Sequence, residues 1–235
     1  MKVKFGGYFF YPKRRKVEKI SILTQPLVEA FVTSLYRQKN PQLVEMRETA
    51  ERMLVPVITR DTERLIYTLC AMHRPKRILE IGTAIGYSAI CYGIAAPEAE
   101  ITTIEVRERS VYKARANVEK AGFSHRIQVI LGKAEEVLPE IEGVFDLIFI
   151  DAAKGQYHKF FELCEKNMEP GTLVISDNVL YKGMPCDDSF IDERRNKTIA
   201  RRMKEYLTFL SEDDRFETVV LPIGDGVALS YRKRT

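Results

Sequence analysis

The 235-residue chain has no tryptophan, three histidines and four cysteines. Cys70, Cys91, Cys164 and Cys186 form no CxxC pair, and no histidine cluster sits beside them. This argues against a zinc site or a redox dithiol and fits reduced thiols in a cytosol. No apolar run approaches the roughly 20 residues needed to cross a bilayer, so no membrane span is expected. The opening MKVKFGGYFFYPKRRK has an apolar patch too short for a secretory signal, and basic residues follow at once. The expectation is a soluble, cytoplasmic protein. An excess of one charge is also missing. The 37 Lys+Arg face 33 Asp+Glu, a formal charge of +4. That balance permits an anionic partner without demanding one.

What is present suits one sizeable core: 45% of the residues are hydrophobic and 30% charged. Residues 1–19 read as a basic N-terminal arm. Residues 20–74 read as a helical segment packing on the rest, and 75–235 as the core proper. From Ser21 to His73 three helical patterns follow one another. Pro41 is expected to break the first, and Asp61 to cap the third. After Pro75 short β-branched runs alternate with amphipathic helices. The runs are RILEIG (77–82), EITTIEV (100–106), IQVILG (127–132), FDLIFID (145–151) and TLVISD (172–177). Continuous apolar strands alternating with helices predict a parallel sheet covered on both faces. One such helix, RSVYKARANVEKAG, should close at Gly122. FETVVLPI and GVALSYRK are joined only by Gly-Asp, which predicts an antiparallel hairpin at the end. The fold class is therefore α/β, Rossmann-like, with a mostly parallel seven-stranded sheet.

Two constellations carry chemistry. In LEIGTAIGYSA (79–89), Glu80, Gly82 and Gly86 fall at a strand-to-helix turn. The spacing is GxxxG rather than GxGxxG, which favours a nucleoside-sized ligand over a dinucleotide. The next strand ends on Glu105, placed to accept hydrogen bonds from ribose hydroxyls. The third strand ends GKAEE, a candidate wall for an adenine ring. The plainer alternative is that the glycines only tighten the turn and Glu105 is a solvated acid.

The second constellation joins Asp151, at the end of one apolar strand, to Asp177-Asn178, at the end of another. If those strands are neighbours, three hard oxygen donors meet at the sheet's carboxyl edge. Oxygen-only ligation selects Mg²⁺, with Mn²⁺ or Ca²⁺ as the alternatives. Lys154 follows Asp151 closely, and a lysine beside a dication can serve as general base. The plainer alternative is that both aspartates cap helices and Lys154 is a surface charge.

Together these residues resemble the class I S-adenosylmethionine-dependent methyltransferases, and within them the cation-dependent O-methyltransferases of the catechol and caffeoyl-CoA type. The resemblance runs from about Val55 to the C-terminus. It implies Val55, Glu80, Gly82, Ser88, Glu105, Ala134 and Asp151 around S-adenosylmethionine. It implies Asp151, Asp177 and Asn178 around Mg²⁺, with Lys154 and Asp151 catalytic. The strings ILEIGTAIGYSAI, FIDAAKGQY, DNVLYKG and GDGVALS are also similar to bacterial tRNA 5-hydroxyuridine methyltransferases. That likeness implies Mg²⁺-dependent methylation of the 5-hydroxyl at the wobble position, with the tRNA anticodon loop as partner. Lys182, Arg194, Arg195 and Arg201 are the candidate phosphate contacts, although Arg194, Arg195 and Arg201 belong to a run that cannot share one helix face. A small catechol or phenylpropanoid is the alternative acceptor. Related enzymes are commonly dimers, so a homodimer is expected.

Overall fold

The computed structural model describes residues 4–5, 8–9, 26–191, 193–194 and 196–234. The basic arm lies outside these residues, apart from a two-stranded ladder of β1 (Lys4–Phe5) and β2 (Tyr8–Phe9).

Three helices precede the main sheet: α1 (Pro26–Ser34), α2 (Pro41–Met53) and α3 (Arg60–His73). Pro41 does not break the first helix. It opens α2, where its missing N–H costs nothing, and Asn40 caps the helix through the Gln42 and Leu43 amides. Nor does Asp61 cap α3. Thr59 does, in extended conformation, with its hydroxyl accepting from the Thr62 amide at 3.1 Å. Asp61 lies inside the first turn and accepts instead from the Thr33 hydroxyl at 3.1 Å. Among the described residues no helix is long and apolar enough to cross a membrane.

The sheet contains β3 (Arg77–Ile81), β4 (Glu100–Glu105), β5 (Ile127–Leu131), β6 (Leu147–Ile150), β7 (Leu173–Asp177), β8 (Phe216–Leu221) and β9 (Val227–Arg232). Their spatial order is β5-β4-β3-β6-β7-β9-β8. The first five are parallel, and β9 enters antiparallel between β7 and β8. The hairpin link is residues 222–226, longer than the expected Gly-Asp, because β8 ends at Leu221 and β9 starts at Val227.

Helices α4 (Tyr87–Ala95), α5 (Glu108–Lys120), α6 (Ala134–Val137), α7 (Tyr157–Cys164) and α8 (Asn196–Glu212) complete the α/β fold. Gly122, at φ +76°, follows α5 as expected, and its amide bonds the Glu119 carbonyl. All four residues of β6 are buried. Leu147 and Phe149 join one apolar layer with α2–α5, while Ile148 and Ile150 join the opposite layer with α7 and α8. Such fully buried side chains each contribute about 1.5–3 kcal/mol, which is why both faces of the run are apolar.

A buried polar cluster ties the N-terminal helices to this core. Arg47 of α2 pairs with Glu63 of α3 at 3.0 Å, and the Tyr87 hydroxyl of α4 donates to the same carboxylate at 2.6 Å. Removing one partner of such a pair strands the other charge and costs about 3–5 kcal/mol. Arg47 Nε also donates to the Tyr87 hydroxyl at 3.2 Å, which links α2 to α4. The chain leaving α2 is thereby carried past the sheet's carboxyl edge, where it contributes Val55.

Candidate active site

A cleft of about 540 Å³ opens at the carboxyl ends of the parallel strands. It lies where strand order reverses between β3–β4 and β6, the place where open α/β sheets bind ligands. Val55, Gly82, Glu105, Ala134, Asp151, Lys154, Asp177 and Asn178 all line it. Glu80 and Ser88 do not; both are buried beneath its floor.

On one side the cleft is shaped by main chain. Gly82 sits at φ +107°, and a Cβ there would lie 1.9 Å from the Asp151 carbonyl oxygen. The glycine is thus required by the close passage of the chain after β6. Glu105 is held by two amides: Ala84 donates to one carboxylate oxygen and Arg107 to the other, both at 2.9 Å. Each oxygen keeps acceptor capacity for a ligand hydroxyl. Beneath them, Glu80 accepts from the Thr103 hydroxyl at 2.5 Å, while its other oxygen has no hydrogen-bond partner. Burial pushes the Glu80 carboxyl up to about 7, against the opposing influence of the neighbouring Ser88 and Thr103 hydroxyls.

The other side collects unsatisfied oxygen. β6 and β7 are parallel neighbours, with Ile150 opposite Ser176, so Asp151 and Asp177 emerge side by side. Asp177 Oδ1 accepts from the Asn178 amide at 2.8 Å; Oδ2 is buried with no partner. Burial first, and then the charge of Asp151, pushes the Asp177 carboxyl up to about 7. Burial also raises Asp151, and Lys154 opposes that rise. Lys154 Nζ donates to Asn178 Oδ1 at 2.8 Å and lies 4.0 Å from Asp151 Oδ1. No group of three or more His, Cys, Asp or Glu able to hold a metal occurs among the described residues. The third donor here is the Asn178 amide. Two carboxylates, an amide oxygen and an orphaned lone pair are a donor set for a hard divalent cation.

The segment after Asn178 is strained. Asn178, Tyr181 and Lys182 have φ of +54°, +35° and +59°. Left-handed backbone costs roughly 1–2 kcal/mol per non-glycine residue, less for asparagine. It brings the Tyr181 ring to 5.7 Å from Lys154 Nζ.

The basic candidates are less gathered. Lys182 and Arg194 are exposed, Arg201 pairs with Glu205 at 2.6 Å, and Arg195 lies outside the described residues. Arg202, in the same basic run 193–204, donates to the Gly155 carbonyl at 3.2 Å and braces the loop that carries Lys154. Tyr181 carries no sequence signal beyond its place between Asn178 and Lys182.

Residues 33–233 match the profile of a protein family described as O-methyltransferase. The caffeoyl-CoA O-methyltransferase of Populus kitakamiensis is 31% identical over 219 residues, covering 86% of this chain and 91% of that protein. A solved Staphylococcus aureus structure, provisionally described as a caffeoyl-CoA O-methyltransferase, superposes with TM-score 0.83 and 35% identity, over 88% of this chain and 99% of that one. The SAH-bound Podospora anserina methyltransferase PaMTH1 superposes with TM-score 0.81 and 26% identity, over 94% of this chain and 100% of that one.

Proposed function

Since this chain belongs to the O-methyltransferase family, we propose that its cleft transfers the methyl group of S-adenosylmethionine to one oxygen of a vicinal oxygen pair on a catechol- or phenylpropanoid-type ring. The observation that carries this reading is the buried, unpartnered Asp177 Oδ2 in the same cleft that Glu105 lines. The acceptor class follows the caffeoyl-CoA enzyme of Populus, and the donor follows the SAH-bound Podospora relative.

In this mechanism Glu105 accepts the donor's ribose hydroxyls, while Val55 and Ala134 border its nucleoside. Gly82, required by the close passage of the Asp151 carbonyl, shapes the wall on the donor's side. Asp151, Asp177 and Asn178 would hold Mg²⁺, or Mn²⁺ or Ca²⁺. A bound divalent cation lowers the pKa of a hydroxyl that it ligates and fixes its orientation. Lys154 Nζ, held beside Asn178, takes the acceptor's hydroxyl proton as the neutral amine, after releasing its own proton to solvent. The methyl group then passes from sulfonium to the acceptor oxygen, leaving S-adenosylhomocysteine. Positioning both reactants in one cleft supplies up to about 7–11 kcal/mol of the barrier reduction.

A second reading has its own support. In 5-hydroxyuridine the 5-hydroxyl and 4-carbonyl oxygens are adjacent, as in a catechol. At a tRNA wobble position that base is unpaired and can be splayed into a pocket. Exposed Lys182, in the strained loop at the cleft's acceptor side, could meet a phosphate of such an acceptor. A direct competition separates the two. Purified protein, S-adenosylmethionine and Mg²⁺ are given catechols, caffeoyl-CoA or tRNA lacking the modification, with products read by mass spectrometry. Methylated catechol or phenylpropanoid is the expected product. Gain of 5-methoxyuridine, with salt-sensitive tRNA binding, would install the second reading. No methylated product from any of them would end both.

A further inference from the structure

We propose that Asp225, in the turn between β8 and β9, is a positioning residue for the acceptor side of the cleft. It would fix the left-handed Asn178–Lys182 loop from 43 residues away; the inference rests on the methyl-transfer reading above. Asp225 offers this loop two acceptors. Its Oδ1 takes the Lys182 amide at 2.6 Å and its carbonyl takes the Leu180 amide at 3.0 Å. Beside it, the Gly226 carbonyl takes the Val179 amide at 2.9 Å. These three bonds hold the segment in which Tyr181 and Lys182 adopt φ of +35° and +59°.

The turn itself is wedged. A Cβ on Gly226 would lie 2.4 Å from the Leu180 side chain, and one on Gly224 would lie 2.9 Å from the Thr59 hydroxyl. The turn is therefore packed between the start of α3 and the loop, and Asp225 cannot drift with it. The loop carries Asn178, which receives the Lys154 ammonium, and Tyr181, whose ring lies 5.7 Å from Lys154 Nζ. Without the Asp225 carboxylate, the Lys182 amide loses its acceptor and the left-handed pair relaxes. The wall around Lys154 then loosens, while Gly82 and Glu105 on the donor side stay in place.

The experiment compares Asp225→Ala with Asp225→Asn, which keeps an oxygen acceptor. For Asp225→Ala the expected result is a drop of roughly 10- to 100-fold in kcat/KM for the acceptor, as for a small misplacement of reacting groups. KM for S-adenosylmethionine and Tm should be unchanged, and hydrogen exchange at the Lys182 amide should be faster. Asp225→Asn should resemble the wild type in all four. An unchanged acceptor kcat/KM in the alanine variant would overturn the proposal. So would an equal rise in KM for S-adenosylmethionine, or an asparagine variant as impaired as alanine. If the wild type methylates no acceptor at all, the functional reading fails instead. Exchange at Lys182 then decides alone: faster in alanine and slow in asparagine upholds the loop contact, and any other pattern removes it.

Discussion

The two sides of the cleft treat their carboxylates in opposite ways. Glu105 has both oxygens held by main-chain amides. Asp177 has one oxygen so held and the other buried without a partner, and its carboxyl is pushed up to about 7. Around Glu105 the donor side is complete as the chain folds; the buried oxygen left bare there belongs to Glu80, which does not line the cleft. The acceptor side carries an uncompensated cost that a cation would relieve, since isolated buried charge is expensive.

The largest test of this contrast is Asp177→Ala. Loss of one cation ligand should remove several kcal/mol of transition-state stabilisation, on the order of a 10³-fold fall in methyl transfer. Tm without metal should hold or rise, because a raised, unpaired carboxylate is gone. A large fall in Tm would mean that Asp177 is structural.

Glu80→Gln comes next. The folded-state pKa of Glu80 is about 7 against an ordinary 4.5, so the folded chain binds this proton more tightly than the unfolded chain does. Its contribution is full below pH 4.5 and is lost as pH rises through 7. Glutamine escapes that loss, so its advantage over wild type should grow by about 3 kcal/mol between pH 4 and pH 8. Thermal or urea unfolding at both pH values reads this directly. An equal difference at both would mean that Glu80 ionises normally.

Adding Mg²⁺ at a hundredfold excess over its dissociation constant should stabilise the wild type by about 2.7 kcal/mol and Asp177→Ala hardly at all. Equal shifts in the two would place the cation elsewhere. The smallest effect is expected for Glu105→Gln. It keeps an acceptor for one main-chain amide, turns an NH2 toward the other and loses charge, about 1.4 kcal/mol or roughly tenfold in S-adenosylmethionine affinity, with kcat intact at saturation. A fall in kcat would tie Glu105 to the chemical step and erase the division between the two sides.

Periodicity made the strands legible. The LIFI run ends on Asp151 and LVIS on Asp177, and β6 and β7 are indeed neighbours. Local signals were weaker at helix starts. Asp61 looks like a cap, but Thr59 holds the extended conformation and accepts from the Thr62 amide, which leaves Asp61 inside the first turn. Glu80 illustrates another limit. Its place in the glycine motif is plain in sequence, yet only the packed sheet buries it beneath the floor beside Thr103. Contacts between distant segments left no trace in spacing. Arg47 and Glu63 meet Tyr87 across three helices, and Asp225 reaches Lys182 through a turn whose length depends on where β8 stops.

The placement of β9 sets an order of birth. β3 to β6 lie side by side and are all made by residue 150, so the Gly82–Glu105 side can assemble from chain already synthesised. β7, which ends in Asp177, keeps a bare edge until β9 is made and slides between it and β8. Non-local pairing of this kind is slow to form and leaves an edge open to wrong partners meanwhile. A chain stalled on the ribosome after β7 would hold one half of its cleft finished and the other still waiting for its last neighbour.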